Sequence, residues 1–211
     1  MMIPLFIIAA TWPTAALAVT CADVNSKSNT PDMTDVDCFD FKRDDGSPGS
    51  VLVNKKHFIN YEGKAPDQNQ CGDSEFDEYP YEATPIADCE NIQQWARDHA
   101  GLWDIQPKDL GKTPTITLIE SGDCGFYVNF IYGQTEPGNY GFKVGNLDVS
   151  DTIQDTHSLR HEKDGTTGLR GRVLCNAPTT DGFAGTLRTK WWVLKPAAVP
   201  EVKWSKPGDV W

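Results

Sequence analysis

Between residues 145 and 162 the chain reads GNLDVSDTIQDTHSLRHE, which holds four carboxylates, Asp148, Asp151, Asp155 and Glu162, and two histidines, His157 and His161. On a helix, the i, i+4 spacing puts both imidazoles on one face, within reach of a single metal ion. The internal Glu of the H-E-x-x-H zinc motif is absent, so the pair lacks the general base of that chemistry. A capped helix accounts for the same residues without a metal. Asp148 would be the N-cap, with Asp151 in the first turn, Val149 and Ile153 on an apolar face and Gly165 as the stop. The histidines then fall in the last turns, where positive charge is favoured by the helix dipole. A capped helix is the expectation, and no metal ligand is assigned.

Other constellations that could do chemistry are sparse. Asp73 with Glu75, and Asp77 with Glu78, are carboxylate pairs of the kind a glycosidase uses, but with 30 acidic residues such neighbours arise from composition alone. There is no G-x-S-x-G and no Gly-rich phosphate loop. Trp103, Trp191, Trp192, Trp204 and Trp211, with six tyrosines, are candidates for stacking on sugar rings. Core packing is the commoner use of such rings. Neighbours on a strand point to opposite faces, so of Trp191 and Trp192 one belongs to the core and the other is exposed or covered by the tail. The chain is read as a non-enzyme with no catalytic residue and no cofactor.

Six cysteines, Cys21, Cys38, Cys71, Cys89, Cys124 and Cys175, form no C-x-x-C, so they read as three disulfides of an exported protein. The first 18 residues, MMIPLFIIAATWPTAALA, carry no charged side chain and end in a small-x-small Ala16-Leu17-Ala18, a signal peptide cut before Val19. An extracellular, secreted protein is expected. No N-glycosylation sequon occurs, since Asn29-Thr30 is followed by Pro31. The net charge of -11 repels nucleic acid and anionic lipid, so no nucleic-acid partner is expected.

The elements that must position these residues fall into three parts. Residues 19–66 are polar and poor in periodicity, with one apolar run, SVLVN, and an exposed dibasic pair, Lys42-Arg43, as a candidate processing site. Residues 67–196 form the compact domain. In TPIADCENIQQWARDHAG, Thr84 is the expected N-cap, Pro85 the first helical residue and Gly101 the stop, with Ile86, Cys89, Ile92, Trp95 and Ala96 as the buried stripe. TITLIES and CGFYVNFIY follow as strands joined through Gly122-Asp123, with Cys124, Phe126, Val128, Phe130 and Tyr132 on one face. YGFKVG is a third strand, the acidic stretch a second helix, and LRGRVLC and KWWVLK two more strands separated by the loop NAPTTDGFAGTLRT. Residues 197–211 are a Pro-rich tail. This order indicates an α+β two-layer sandwich, a mainly antiparallel sheet with two helices on one face. The preferred disulfides are a local Cys21–Cys38, Cys89–Cys124 tying the first helix to the central strand, and Cys71–Cys175 joining the ends of the domain.

Cys71-Gly72 with Phe76, Asp88-Cys89, Trp103, and Gly122 with Cys124-Gly125-Phe126 follow a recognisable order. It continues through Val144-Gly145-Asn146, Asp148-Val149 with Asp151 and Ile153, Gly171 before Cys175, and Trp192. Over roughly residues 70–194, a typical domain size, the chain resembles the necrosis-inducing factor domain family, homologues of a leaf-mould extracellular effector. The resemblance implies a fungal secreted effector, linked to plant cell death or to antimicrobial action, with a fold like that of a smut-virus killer toxin. It brings no catalytic residues. The killer toxin acts on calcium channels and relies on basic residues, a pattern from which this acidic chain departs. Two functions follow. One is a non-enzymatic effector acting on a host plant or competing microbe, through a protein, a membrane channel or a cell-wall glycan. The other is a small carbohydrate-active enzyme or cell-wall-binding protein. A monomer is expected.

Overall fold

The computed structural model describes residues 20–21, 30, 33–61, 69–77, 84–106, 115–130, 141–159, 166–178 and 184–196. In chain order the elements are β1 (Val36–Lys42), β2 (Pro48–Asn54), β3 (Phe58–Asn60), β4 (Glu75–Phe76), β5 (Thr84–Pro85), α1 (Ile86–Asp98) and β6 (Gly101–Ile105). They continue with β7 (Thr115–Ser121), β8 (Cys124–Phe130), β9 (Phe142–Gly145), α2 (Asn146–Leu159), β10 (Thr166–Thr167), β11 (Leu169–Pro178) and β12 (Ala184–Leu194).

Seven strands form an antiparallel sheet in the order β1-β2-β7-β8-β12-β11-β4, beside a three-stranded sheet β3-β6-β9 and a short β5-β10 pair. The fold is α+β, as the order of elements indicates. Side chains on paired strands line up in rows across the large sheet. One row runs Val53, Ile119, Phe126, Val193, Leu169, and all five are buried in the central core. Helix α1 adds Cys89, Ile92, Trp95 and Ala96 to that core, four of the five residues of the stripe its periodicity predicts, while Ile86 at its start is half-buried. Helix α2 adds Val149 and Ile153 and packs against α1, β6 and β9.

The opposite face of the sheet is buried at its centre. There Tyr127 and Glu120 are buried, and the Tyr127 hydroxyl donates to Glu120 Oε1 at 3.0 Å. The Thr30 hydroxyl donates to the same oxygen at 2.5 Å, so Thr30 lies over this face, and its carbonyl accepts the amide of the buried Met33. Trp191 sits in the main core and Trp192 on the opposite face, as strand alternation requires, yet both are buried.

Several local details differ from the sequence reading. Residues 19–66, read as a polar extension, supply β1, β2 and β3 to the two sheets. Only Phe39, Asp40, Phe41 and Lys42 alternate clearly, and the strand that completes β2's pairing, β7, is remote in sequence. Gly101 does not merely stop α1 but opens β6, whose Leu102 and Trp103 are core residues. Pro85, not Thr84, is the N-cap of α1; its φ of -60° and ψ of 129° suit the extended N-cap geometry. Thr84 instead pairs with Thr167, and its hydroxyl donates to the Asp123 carbonyl. Strands β11 and β12 run on through much of the expected 176–189 loop, pairing from Leu169↔Val193 to Pro178↔Ala184. Ile131, Tyr132, residues 1–18 and the 197–211 tail lie outside the described residues.

The β7–β8 turn is one place where glycine is required. Gly122 has a φ of 51°, the positive value a type II′ hairpin turn needs at its first central position. It also lies against the Asp88 carboxylate, where a Cβ would collide. Asp88 in turn accepts the Asp123 amide at 2.8 Å, fixing the turn to α1.

Three disulfides close the structure: Cys21–Cys38, Cys71–Cys175 and Cys89–Cys124. The second also forms an isolated bridge pair beside β11, and the third links α1 to β8 with both cysteines wholly buried. The dibasic pair lies at the β1–β2 turn. Arg43 donates to Glu90 of α1 at 2.7 Å, and Asp44 pairs with Arg97 at 2.9 Å. A protease needs an extended segment, so reaching the Arg43–Asp44 bond requires this turn to leave α1.

Candidate functional site

A cleft of about 370 Å³ opens between the first half of α2, the segment 69–74 and the large sheet. That is the size range of small-molecule sites. Its floor is apolar, made by Phe126, Val128, Val173 and Trp191 of the sheet with Val144 of β9. The Cys71–Cys175 disulfide forms part of the wall. Gly171 makes room for the Trp191 indole, which packs over its backbone and meets Phe76 edge-on with ring centroids 5.1 Å apart.

The polar side comes from the acidic stretch at 145–162. Asp148, Asp151 and Asp155 follow at spacings of three and four on α2, so they share one face. Asp73 joins them across the cleft, and among the described residues none that lines it is Lys, Arg or His. Asp148 is not the N-cap expected of it. The helix begins at Asn146, and Asp148 reaches back as the third residue to accept the Gly145 amide at 2.6 Å, the acidic half of a capping box. Its oxygens also accept the Gln70 amide at 2.9 Å and the Cys71 amide at 3.2 Å. Burial pushes its carboxyl up to about 6, against those three amides and with a smaller push from Asp151. Burial, and then Asp155, raise Asp151 as well.

A contrasting group of charges lies on the other face of β11 and β12. Asp77 pairs with Arg170 at 2.5 Å and with Arg172 at 3.5 Å. Burial and the two arginines push Lys190, opposite Arg172, down to about 8. Asp77 is therefore a tether for arginines, and its sequence neighbour Glu78 lies outside the described residues.

The family model described as "Pathogen effector; putative necrosis-inducing factor" matches residues 70–175, half of the chain. The chain belongs to this family. A search of the curated proteins finds no match. The necrosis-inducing factor segment carries most of the cleft: the 70–74 wall, the β8 floor and the acidic face of α2. Trp191 and Thr189 are added by β12, beyond the matched segment.

His157 does not line the cleft. His157 is partly buried in the last turn of α2, while His161 and Glu162 lie outside the described residues. Among the described residues no group of three or more His, Cys, Asp or Glu is arranged to hold a metal. Replacing His157 and His161 by Ala should therefore shift stability by no more than about 2 kcal/mol, at about 0.3–1 kcal/mol for each charge at a helix end. A chelator should leave the melting temperature unchanged. Thermal melts with and without chelator check both, and a chelator-dependent drop would mark a metal site.

Sequence reasoning missed the cleft itself. Its carboxylates were visible as helix-face residues, but Trp191 and Phe126 reach it only through strand pairings made at long range.

Proposed function

We propose that this member of the necrosis-inducing factor family is a secreted fungal effector. It acts by binding a target of a host plant or competing microbe, extracellularly and without catalysis. Family membership over the segment that builds the cleft carries this reading. The bonding of Asp148 supports it. A general acid must present a free oxygen to its substrate. The most deeply buried carboxyl of the cleft instead spends both oxygens on main-chain amides. The disulfides suit an oxidising, extracellular setting.

A second reading, a carbohydrate-active enzyme or cell-wall binder, is favoured by one observation: a cleft with an aromatic floor and several carboxylates. The two are separated by paired assays on purified, oxidised protein. Infiltration into leaves and application to competing fungi should give cell death or growth inhibition that reduction abolishes. Incubation with plant and fungal wall polysaccharides should release no reducing ends. Sugar release that disappears in Asp151→Asn would establish the enzyme instead.

A further inference from the structure

We infer that the Arg43–Asp44 bond is a processing site, at which an endoprotease specific for dibasic pairs divides the protein into two pieces that non-covalent contacts hold together. The arrangement of the bridges carries this inference. Cys21–Cys38 lies wholly before the bond, Cys71–Cys175 and Cys89–Cys124 lie wholly after it, and no cysteine is free. Hydrolysis places the hydroxyl of water on the Arg43 carbonyl carbon and its proton on the Asp44 nitrogen, which leaves as a new N-terminus. No covalent link then joins the pieces. The matched family segment begins at residue 70 and falls entirely in the second.

Much holds the first piece in place. Strand β1 pairs with β2 at seven positions, from Val36↔Asn54 to Lys42↔Pro48. Phe39 packs against Trp95 of α1 with ring centroids 5.2 Å apart, Met33 is buried, and the Thr30 hydroxyl donates to Glu120. Access to the bond is set by the turn. The Arg43 amide donates to the Ser47 carbonyl and the Gly46 amide to the Arg43 carbonyl, each at 2.8 Å. Gln94 of α1 accepts the Asp44 amide at 3.1 Å, while Arg97 holds the Asp44 carboxylate. Both anchors lie at the surface, where each such contact is weak, so the turn opens locally far more easily than the domain unfolds. Pro48, opposite Lys42, has no N–H with which to extend the ladder. The chain's other dibasic pair, Lys55-Lys56, is a contrast. The bond after it belongs to His57, which is buried, its amide on the Asn54 carbonyl and its carbonyl on the Asp104 amide.

The test incubates the disulfide-bonded protein with an endoprotease specific for Lys-Arg pairs and sequences the new N-terminus. The first cut should fall before Asp44. The two pieces should separate on a denaturing gel run without reductant, yet elute together from a sizing column in native buffer. Lys42→Gln removes the dibasic signal at an exposed side chain and should slow the cut at least about tenfold. Gln94→Ala with Arg97→Ala removes the anchors of Asp44 and should speed it at least about threefold, because cleavage follows the open population. The melting temperature of this double variant should stay within a few degrees, since alanine suits a helix surface. The inference is overturned if the folded double variant is not cut before Asp44 or is cut there no faster than wild type. It is equally overturned if the cut protein runs as one band without reductant, or if its first piece elutes apart from the second in native buffer. None of those results bears on the effector reading, which infiltration measures without reference to the cut.

Discussion

Replacing Cys71 and Cys175 by Ala is expected to destabilise the protein by about 5 kcal/mol and lower its melting temperature by about 10–20 °C. The bridge closes a separation of 104 residues, the longest of the three. On the chain-entropy model a loop of that length restricts the unfolded chain by nearly 5 kcal/mol, at the lower end of the total stability of a typical domain. Packing adds to the loss. Cys175 is wholly buried, and Cys71 holds the 69–74 wall of the cleft against β11. Removing Cys89 and Cys124 should cost about 4 kcal/mol for a separation of 35, plus the cavity left by two fully buried side chains. Cys21–Cys38, with a separation of 17 and a place on the outermost strand β1, should contribute least, about 3 kcal/mol. Denaturant melts of the three double variants give the order directly. If the local bridge proved the most important, the segment before β1 would matter more to the fold than the end-to-end closure.

How much of this was legible in the sequence depended on the range of the interactions. Helix α1 could be placed because Cys89, Ile92, Trp95 and Ala96 repeat at the helical period, a pattern complete within 13 residues. The β7–β8 hairpin could be placed because Gly122-Asp123 is a turn signal between two apolar runs. The β1–β2 hairpin was hidden, since its first strand is mixed in character and the second gains its place by pairing Val53 with Ile119. Nothing local to residues 36–54 reports that partner. Family resemblance could not expose it either, because those strands precede the matched segment. The candidate site divides the same way. Asp151 and Asp155 announce a common face by their spacing, but that this face looks onto Trp191 follows from the packing of α2 against α1, β6 and β9, which sets it across the cleft from the large sheet. The role of Asp148 was half visible. A carboxylate at a helix start was expected, but its hold on Gln70 and Cys71 is a tertiary contact between segments far apart in the chain.

That hold predicts the second large effect. Asp148→Ala leaves the amides of Gly145, Gln70 and Cys71 without their acceptor. At about 1–3 kcal/mol for each stranded donor, and with water able to reach some of them from the cleft, the loss should be about 3–5 kcal/mol. Asp148→Asn should cost less. Its one remaining oxygen can still accept from Gly145 and Gln70, while its amide group faces the Cys71 N–H as donor against donor. The asparagine variant also isolates the titration. Burial raises the folded carboxyl to about 6, above its value in the unfolded chain, so the folded state holds this proton more tightly. Stability from protonation is then fully present below about pH 4 and is lost as pH rises through about 6. The stability of wild type relative to Asp148→Asn should fall by about 3 kcal/mol between those limits, since each tenfold difference in proton affinity between folded and unfolded chain is worth about 1.4 kcal/mol. Denaturant melts of both proteins from pH 4 to 7 measure the difference, in which titrations common to the two cancel. A difference that grows with pH would show that the three amides outweigh burial and that Asp148 is held as a carboxylate throughout.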